Sequence, residues 1–233
     1  MALSKTRPVP FQPGMRLGAH YSVEGLVRLG EGRMFYLAND NRPDLPTRKC
    51  WECDAEDSPR PEIHCLRCGA ELVVQRFMVS VRWDTELFKP YLDFQKRNIE
   101  HPGLVPTLDV FQVDQVLCSV TAWDQQTLMV DEGAPINRDH MVDLALRGVG
   151  LLGFLQTNGV EIAPLTQANF IRTTDGKFKF FDLEIRSVQD GALSQKICEV
   201  GLESLARTIN RFTAIHDLSM VNAIDGAIRG RYT

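Results

Sequence analysis

The chain has 233 residues, of which 44% are hydrophobic and 24% are charged, with a formal net charge of −4 and a pI of about 5.8. These proportions are typical of a globular protein with one substantial core or two modest ones, and they exclude a disordered chain. The negative charge disfavours a general attraction to nucleic acid or to anionic membranes. No apolar run approaches the roughly 20 residues that a membrane span needs, and the N-terminus lacks an apolar signal-peptide core. We therefore expect a cytoplasmic protein.

The first half of the sequence predicts a sheet with one helix. Residues 1–20 are rich in proline and predict an extended arm. Alternating apolar residues predict a hairpin around a glycine turn, with strands at residues 21–29 and 34–38. A further strand at 71–83, a helix within 84–98 and two strands at 108–113 and 115–122 complete this half.

The second half predicts mostly helices. A long apolar face at residues 141–155 predicts a helix that ends at Asn158-Gly159. Two short strands flank Thr174-Asp175-Gly176, whose composition favours a hairpin turn. Two last helices are predicted at residues 193–212 and 220–228.

Four of the six cysteines form two Cys-x-x-Cys motifs, and these are the most specific chemical pattern in the chain. Cys50 and Cys53 form the first motif, and Cys65 and Cys68 form the second. Two such turns place four thiolates around Zn²⁺ in a tetrahedron with Zn–S distances of about 2.3 Å. Four protein thiolates leave no open position for water or substrate, so the pattern predicts a structural zinc site.

Two disulfides or four free thiols are the alternatives to zinc. Zinc is favoured because no secretory signal precedes the motifs, and because Cys118 and Cys198 lie alone in apolar runs, as reduced core thiols do. Few aliphatic residues surround the motifs, so this segment needs a metal for its order. His64 lies next to a ligand, but the four sulfurs already fill a zinc shell, which favours a solvated role for this histidine.

Several short segments of the sequence resemble segments of a protein kinase, and they occur in the same order along the chain. The stretch from Leu29 to Ala38 resembles the glycine-rich loop and its following strand, and residues 100–106 resemble the phrase that follows the first kinase helix. Residues 159–184 have the spacing of the catalytic loop and of the metal-binding Asp-Phe-Gly segment. The chain thus resembles a bacterial protein-kinase-like protein over residues 21–212.

The resemblance implies an α+β, two-lobed protein-kinase-like fold. Its parts would be an N-terminal arm (1–20), a β-rich N-lobe (21–122) that carries a zinc-ribbon insertion (about 45–70), and a reduced, mostly helical C-lobe (123–233).

The resemblance also implies that the parts needed for phosphoryl transfer are missing. Ser80 stands where the kinase lysine would fall, and a serine cannot neutralise phosphate charge. Pro164 stands in place of the catalytic base, and its side chain accepts no proton. Leu183-Glu184 replaces the expected Phe-Gly. We therefore expect a pseudokinase without enzyme activity.

Four residues are the remnants of a nucleotide and Mg²⁺ site that the resemblance implies: Gly30, Gly32, Asn169 and Asp182. The glycines also suit an ordinary hairpin, and the other two also suit structural hydrogen bonds; for Asn169 and Asp182 we favour the structural role.

Three hypotheses of function follow. The first is a catalytically inactive, kinase-like regulatory or protein-interaction module with a structural zinc site and a protein partner. The second is an atypical Mg-ATP-dependent phosphotransferase that uses Asp182 and Asn169 for Mg²⁺ and Arg82 for phosphate. The third, a zinc-ribbon nucleic-acid-binding protein, is disfavoured by the acidic residues around the motifs.

Overall fold

A computed structural model describes residues 7–30, 32–41, 50, 52–58, 62, 64–72, 76–123, 128–129, 138–172 and 177–211. The chain divides into two compact units. The first comprises Met1–Thr85 and Thr107–Gln125, and the second comprises Glu86–Pro106 and Gln126–Thr233.

The first unit is built on a six-stranded antiparallel sheet with the order β1-β2-β3-β4-β6-β5. Its strands are β1 (Arg16–Leu17), β2 (Tyr21–Gly30), β3 (Arg33–Asp40), β4 (Arg76–Arg82), β5 (Asp109–Val113) and β6 (Val116–Trp123).

Alternating side chains of the three central strands form the core of this sheet. In register across the sheet, Met34 pairs with Val81, which pairs with Cys118, and Tyr36 pairs with Val79. All of these side chains are buried on one face. The residues between them, such as Phe35 and Ser80, are also buried, so the central strands are covered on both faces. This explains why β4 and β6 have few exposed positions in their sequences.

The two ends of the sheet approach each other and nearly close it into a barrel. The Tyr21 ring of β2 stacks on the Phe111 ring of β5 with 5.7 Å between centroids. The Tyr21 hydroxyl donates to Oδ2 of Asp109 at 3.3 Å. A Cβ on Gly18 would lie 2.9 Å from the Phe111 ring, so only glycine allows this close approach. Leu17, which falls within the predicted arm, is fully buried here.

The second unit combines helices with two small antiparallel sheets. The helices are α1 (Phe88–Lys96), which follows a 3₁₀ turn at Thr85–Leu87, α2 (Arg138–Thr157) and α3 (Gln195–Arg211). Strands β7 (Leu128–Met129), β9 (Phe170–Arg172) and β10 (Phe178–Phe180) form one sheet, and β8 (Val160–Ile162) pairs with β11 (Ile185–Val188) in the other. No helix in the described part of the chain has the length and apolar character that crossing a membrane requires.

Arg97 connects three segments of the second unit. Its guanidinium donates to the backbone carbonyls of Asn158 and Gln189, both at 3.1 Å, and pairs with Asp190 at 3.0 Å. The two carbonyls belong to chain segments that follow α2 and β11, so one side chain fixes the helix end against the strand end. A planar fork with several donors suits this arrangement.

Most of the predicted elements are confirmed, with boundaries shifted by a few residues. These are the hairpin of β2 and β3, the strands β4, β5 and β6, the helices α1, α2 and α3, and the paired strands β9 and β10. The turn Thr174-Asp175-Gly176 and the helix at residues 220–228 lie outside the described residues.

The predicted two-lobed, protein-kinase-like fold with a mostly helical C-lobe is wrong. The described residues are mostly antiparallel strands. They form a nearly closed six-stranded barrel in the first unit and two small sheets in the second, and only three α-helices are present among them. Residues 160–162, predicted as part of a kinase catalytic loop, form β8 and pair with β11. The order of elements along the chain suggested a kinase, but it does not determine which elements pair across long sequence distances.

Candidate metal centre

The four cysteines lie on two turns, here called knuckles, that share one hydrogen-bonding pattern. In knuckle 1 (residues 50–55) the Cys50 amide donates to the Ala55 carbonyl at 2.7 Å, and the Asp54 amide donates to the Cys50 carbonyl at 3.0 Å. Knuckle 2 (residues 65–70) repeats the pattern, since Cys65 donates to Ala70 at 2.8 Å and accepts from Gly69 at 2.9 Å. The repeat gives the two cysteine pairs the same local geometry.

The knuckles bring the four sulfurs together. All four Sγ atoms lie within 4.8 Å of one another. Two contacts between the knuckles, Cys50 to Cys68 and Cys53 to Cys65, are 3.6 Å long. Zn–S bonds of about 2.3 Å in a tetrahedron would place the sulfurs about 3.8 Å apart. The cluster has the ligand type, number and spacing that a metal ion of this kind requires.

The cluster is half buried and has a small core of its own. Cys50 and Cys65 are 0% and 3% exposed, and they pack with Ala55 and Leu72. Cys53 is exposed, as is Cys68. Two of the four residues in this small core are therefore the cysteines themselves, so apolar packing alone gives this segment little stability.

Hydrogen bonds favour a thiolate at Cys65. Donation to its sulfur by the backbone amides of Cys68 and Arg67, and to a smaller extent by the Ser58 hydroxyl and Cys53, lowers the pKa of Cys65 to about 6 and together outweighs the opposing effect of burial. The Arg67 amide lies 3.4 Å from the sulfur. Ser58 is fully buried, and its oxygen also accepts from the Leu66 amide at 3.2 Å. Such donors stabilise metal-bound thiolates in the same way.

The other knuckle contributes a sulfur that keeps its proton more strongly. The Ala55 amide favours the Cys53 thiolate, but desolvation and the neighbouring sulfurs of Cys68, Cys65 and Cys50 outweigh this bond and raise the pKa of Cys53 to about 12. Four sulfurs at this spacing cannot all be ionised without a cation between them. A metal ion would remove this conflict, because it binds each sulfur as a thiolate.

The surface around the knuckles is acidic. The side chains of Glu52, Asp54, Glu56, Asp57 and Glu62 are all exposed, as expected for a solvated loop. Arg67 pairs with Asp57 at 2.9 Å, and this contact raises the pKa of the arginine. Among the described residues of this segment, basic side chains are therefore few and partly neutralised.

Ser58 is the residue of this site that the sequence did not reveal. It lies between the knuckles but outside both motifs. Serines are common in solvated loops, and no spacing rule relates a serine to a sulfur seven residues later. Trp51, between two ligands, lies outside the described residues. His64 is exposed, and its backbone forms an isolated antiparallel β-bridge with that of Glu71.

The two glycines predicted as nucleotide remnants lie at the β2–β3 hairpin. Gly30 pairs with Arg33 at the end of the strands, and Gly32 has a left-handed backbone with φ of 68°. A hairpin turn uses such a glycine in its ordinary way. Their contact with a nucleotide stays a prediction.

The other two predicted remnants lie together in the second unit. The Asn169 side chain donates to the carbonyls of Asp182 at 3.1 Å and Phe181 at 3.4 Å, and its oxygen accepts from the Thr166 amide at 2.9 Å and hydroxyl at 3.1 Å. Asp182 has a left-handed backbone with φ of 51°. Asn169 thus holds the turn at Asp182 in place, while the binding of Mg²⁺ by this pair stays a prediction.

The residues that the resemblance places at the positions of the kinase lysine and the catalytic base, Ser80 and Pro164, differ in their burial. Ser80 is 2% exposed within β4, and its hydroxyl has no hydrogen-bond partner among the described residues. Arg82, two residues on, is also buried and donates to the Ser119 hydroxyl at 2.9 Å. Pro164 is exposed just after β8.

The second unit also has an open cavity of about 540 Å³. Its lining includes His101, Leu104 and Lys179. In the described part of the chain, the cysteine cluster is the one group of three or more possible metal ligands.

Comparison with known proteins assigns the chain to no family. A scan of protein-family models finds no match, and a search of curated proteins returns no similar sequence.

Proposed function

We propose that the chain binds one Zn²⁺ through Cys50, Cys53, Cys65 and Cys68, and that this metal-stabilised segment serves a non-catalytic protein-interaction module. The single observation that supports the metal is the group of four sulfurs within 4.8 Å of one another on two knuckles of the same geometry.

The ligand set favours a structural role for the metal. Four thiolates complete a tetrahedral shell, and a catalytic zinc needs a position that water or substrate can occupy. Zinc is preferred to harder cations because thiolates are soft ligands, and to iron–sulfur chemistry because a single ion suffices for four sulfurs at this spacing.

The small core around the cysteines makes the metal important for folding. Structural zinc in small modules contributes on the order of 10 kcal/mol of binding free energy at neutral pH. Ala55 and Leu72 are the two apolar residues, besides two ligands, that are buried there. Metal removal is therefore expected to unfold residues 50–72 while the strands of the barrel persist.

An exposed apolar side chain supports the interaction role. Leu66 lies between two ligands of knuckle 2 and is 62% exposed. The metal would hold this residue on a rigid turn, which lowers the entropy lost when a partner covers it. The adjacent acidic side chains would disfavour a nucleic-acid partner at the same surface.

Metal analysis of the purified chain tests the zinc proposal. We expect one zinc per chain in the wild type, and little in Cys65→Ser, because serine is a poor zinc ligand. Cys118→Ala is the matched control, since Cys118 is a buried cysteine of β6 outside the cluster, and it should retain the metal. A metal-free wild type, or a Cys65→Ser protein that still holds one tightly bound zinc, would refute the proposal.

Two exposed leucines test the interaction role. Affinity capture should recover a partner with the wild type and with Leu108→Asp, but not with Leu66→Asp. Leu108 is a suitable control because it is 53% exposed in the same unit and lies outside the knuckles. A partner that is retained by Leu66→Asp, and also by the zinc-depleted protein, would exclude the knuckles as its binding surface.

A further inference from the structure

Each knuckle presents one accessible sulfur and one protected sulfur. Cys53 and Cys68 are exposed, whereas Cys50 and Cys65 are 0% and 3% exposed. A small oxidant in solution can therefore reach one ligand of each knuckle without unfolding the segment. Metal-bound cysteines are thiolates, and the thiolate is the form that reacts with oxidants.

The two contacts between the knuckles each join an accessible sulfur to a protected one. Cys53 lies 3.6 Å from Cys65, and Cys68 lies 3.6 Å from Cys50. A disulfide needs the sulfurs about 2.05 Å apart, so each pair must close by about 1.5 Å. Each exposed sulfur thus has a partner within reach on the opposite knuckle.

We propose that the cysteine cluster is a peroxide-sensitive site that releases its metal and closes into two disulfides across the knuckles, Cys53 to Cys65 and Cys50 to Cys68. This inference rests on the zinc site proposed above. The oxidant is a hydroperoxide, and its simplest form is hydrogen peroxide.

The reaction at each pair is a two-electron oxidation. The exposed thiolate attacks one peroxide oxygen, the O–O bond breaks, hydroxide leaves, and the sulfur becomes a sulfenic acid. The partner thiolate then attacks this sulfur, the S–O bond breaks, a second hydroxide leaves, and the S–S bond forms. Two thiolates and one peroxide thus give one disulfide and two hydroxides.

Loss of the first pair of thiolates releases the metal. Two remaining cysteines do not hold zinc as four do, because the chelate loses half of its ligands. The second pair is then free to react in the same way, so two peroxides convert the cluster completely. A dithiol reductant reverses both steps by thiol–disulfide exchange and restores the four ligands.

Cys118 provides an internal control for selectivity. It is fully buried in β6, and burial raises the pKa of its thiol to about 12. It is therefore a neutral thiol shielded from solvent, and it should remain reduced under conditions that oxidise the cluster.

The experiment treats the zinc-loaded full chain with hydrogen peroxide. Released zinc is measured with a chromogenic chelator, the chain is unfolded in denaturant so that every free thiol is alkylated, and the disulfides are mapped by mass spectrometry without reduction. The sequence makes the map decisive, since cleavage after Glu52 separates Cys50 from Cys53 and cleavage after Arg67 separates Cys65 from Cys68.

We expect release of the bound zinc, linked peptides that join Cys53 to Cys65 and Cys50 to Cys68, and an alkylated Cys118. Added dithiothreitol and zinc should restore the original metal content. Zinc that stays bound at full peroxide exposure, disulfides within each motif, or sulfinic and sulfonic acids without disulfides would overturn the inference while leaving the zinc proposal intact. A chain that contains no zinc before peroxide is added would overturn both.

Discussion

Asp54 and Gly69 occupy equivalent positions in the two knuckles, and both have a left-handed backbone, with φ of 57° and 75°. Each amide donates to the carbonyl of the first cysteine of its knuckle. Glycine adopts this conformation without strain, whereas aspartate is one of the few other residues that tolerate it.

This equivalence predicts that substitution costs stability at Gly69 and almost none at Asp54. Gly69→Ala should weaken the segment by about 1 kcal/mol, because alanine pays the full cost of a left-handed backbone. No atom lies within 4 Å of a Cβ added at Gly69, so the loss comes from backbone strain and not from a steric clash. Asp54→Gly should change stability by less than about 0.5 kcal/mol, since relief of strain offsets the added freedom of the unfolded chain.

Competition with a zinc chelator measures the zinc affinity of both variants relative to the wild type. Gly69→Ala should bind zinc several-fold more weakly than the wild type, and Asp54→Gly should stay close to it. Equal losses in the two variants would show that the two knuckles do not share one backbone geometry.

Ser58 is expected to tune the affinity of the site for its metal. Ser58→Ala removes a donor to the Cys65 sulfur and leaves the part-buried Leu66 amide without its acceptor. Loss of such a supporting hydrogen bond typically costs 10- to 100-fold in metal affinity, and we expect at least about 10-fold here.

Ser187→Ala is the control for this prediction. The Ser187 hydroxyl donates to Glu161 at 2.8 Å in the second unit. Its loss should leave the zinc affinity unchanged in the same chelator titration. Equal zinc affinities of Ser58→Ala and the wild type would show that Ser58 does not contribute to metal binding.

Gly159 is predicted to be the least replaceable of the described glycines of the second unit. It has φ of 67°, and a Cβ there would collide with the backbone carbonyls of Gln189 and Gly191. Gly159→Ala should therefore lower the free energy of unfolding by about 3 kcal/mol or more. Neither carbonyl can move as a flexible side chain would.

Gly153→Ala is the matched control on α2. Nothing lies within 4 Å of a Cβ at this exposed helical position, and alanine favours a helix by about 1 kcal/mol over glycine. Urea denaturation should show a stabilised Gly153→Ala protein and a strongly destabilised Gly159→Ala protein. The reverse order would contradict the packing between residue 159 and the chain after β11.

His101 is expected to make stability depend on pH. Burial lowers its pKa below the ordinary value, and its Nδ1 accepts a hydrogen bond from the Gly103 amide at 3.1 Å. Above pH of about 6.5 the imidazole is neutral in both states. Below it, the unfolded chain takes up the proton first, so the free energy of unfolding falls as the pH falls.

His101→Asn separates this effect from other titrations. Asparagine keeps an acceptor near the position of Nδ1 but does not titrate in this range. Between pH 7.5 and 5.5 the wild type should lose more stability in urea denaturation than the variant does. Identical pH dependence of the two proteins would mean that His101 contributes nothing to it.

The sequence predicted the local structure better than its assembly. The alternation of residues 21–29 and the apolar face of residues 141–155 each depend on neighbours along the chain, and β2 and α2 form there. The pairing of β8 with β11 joins segments far apart in sequence. Nothing in three residues such as Val160–Ile162 specifies their partner, which is why the order of elements misled the fold assignment.

The metal ligands were predictable because their chemistry is encoded in spacing. A Cys-x-x-Cys turn determines its own geometry, so four sulfurs could be identified before any tertiary structure was known. The contribution of Ser58 depends on how the chain between the knuckles folds back onto Cys65, and no local pattern carries that information. The same applies to Asn169, whose hydrogen bonds at Asp182 cross a strand pair.

X-ray absorption at the zinc edge of the purified full chain, with metal analysis of the same sample, identifies the metal and its ligands. We expect one zinc per chain with a shell of four sulfurs at about 2.3 Å and no nitrogen or oxygen ligand. A shell that mixes sulfur with nitrogen or oxygen, or a protein purified without zinc, would contradict the zinc proposal.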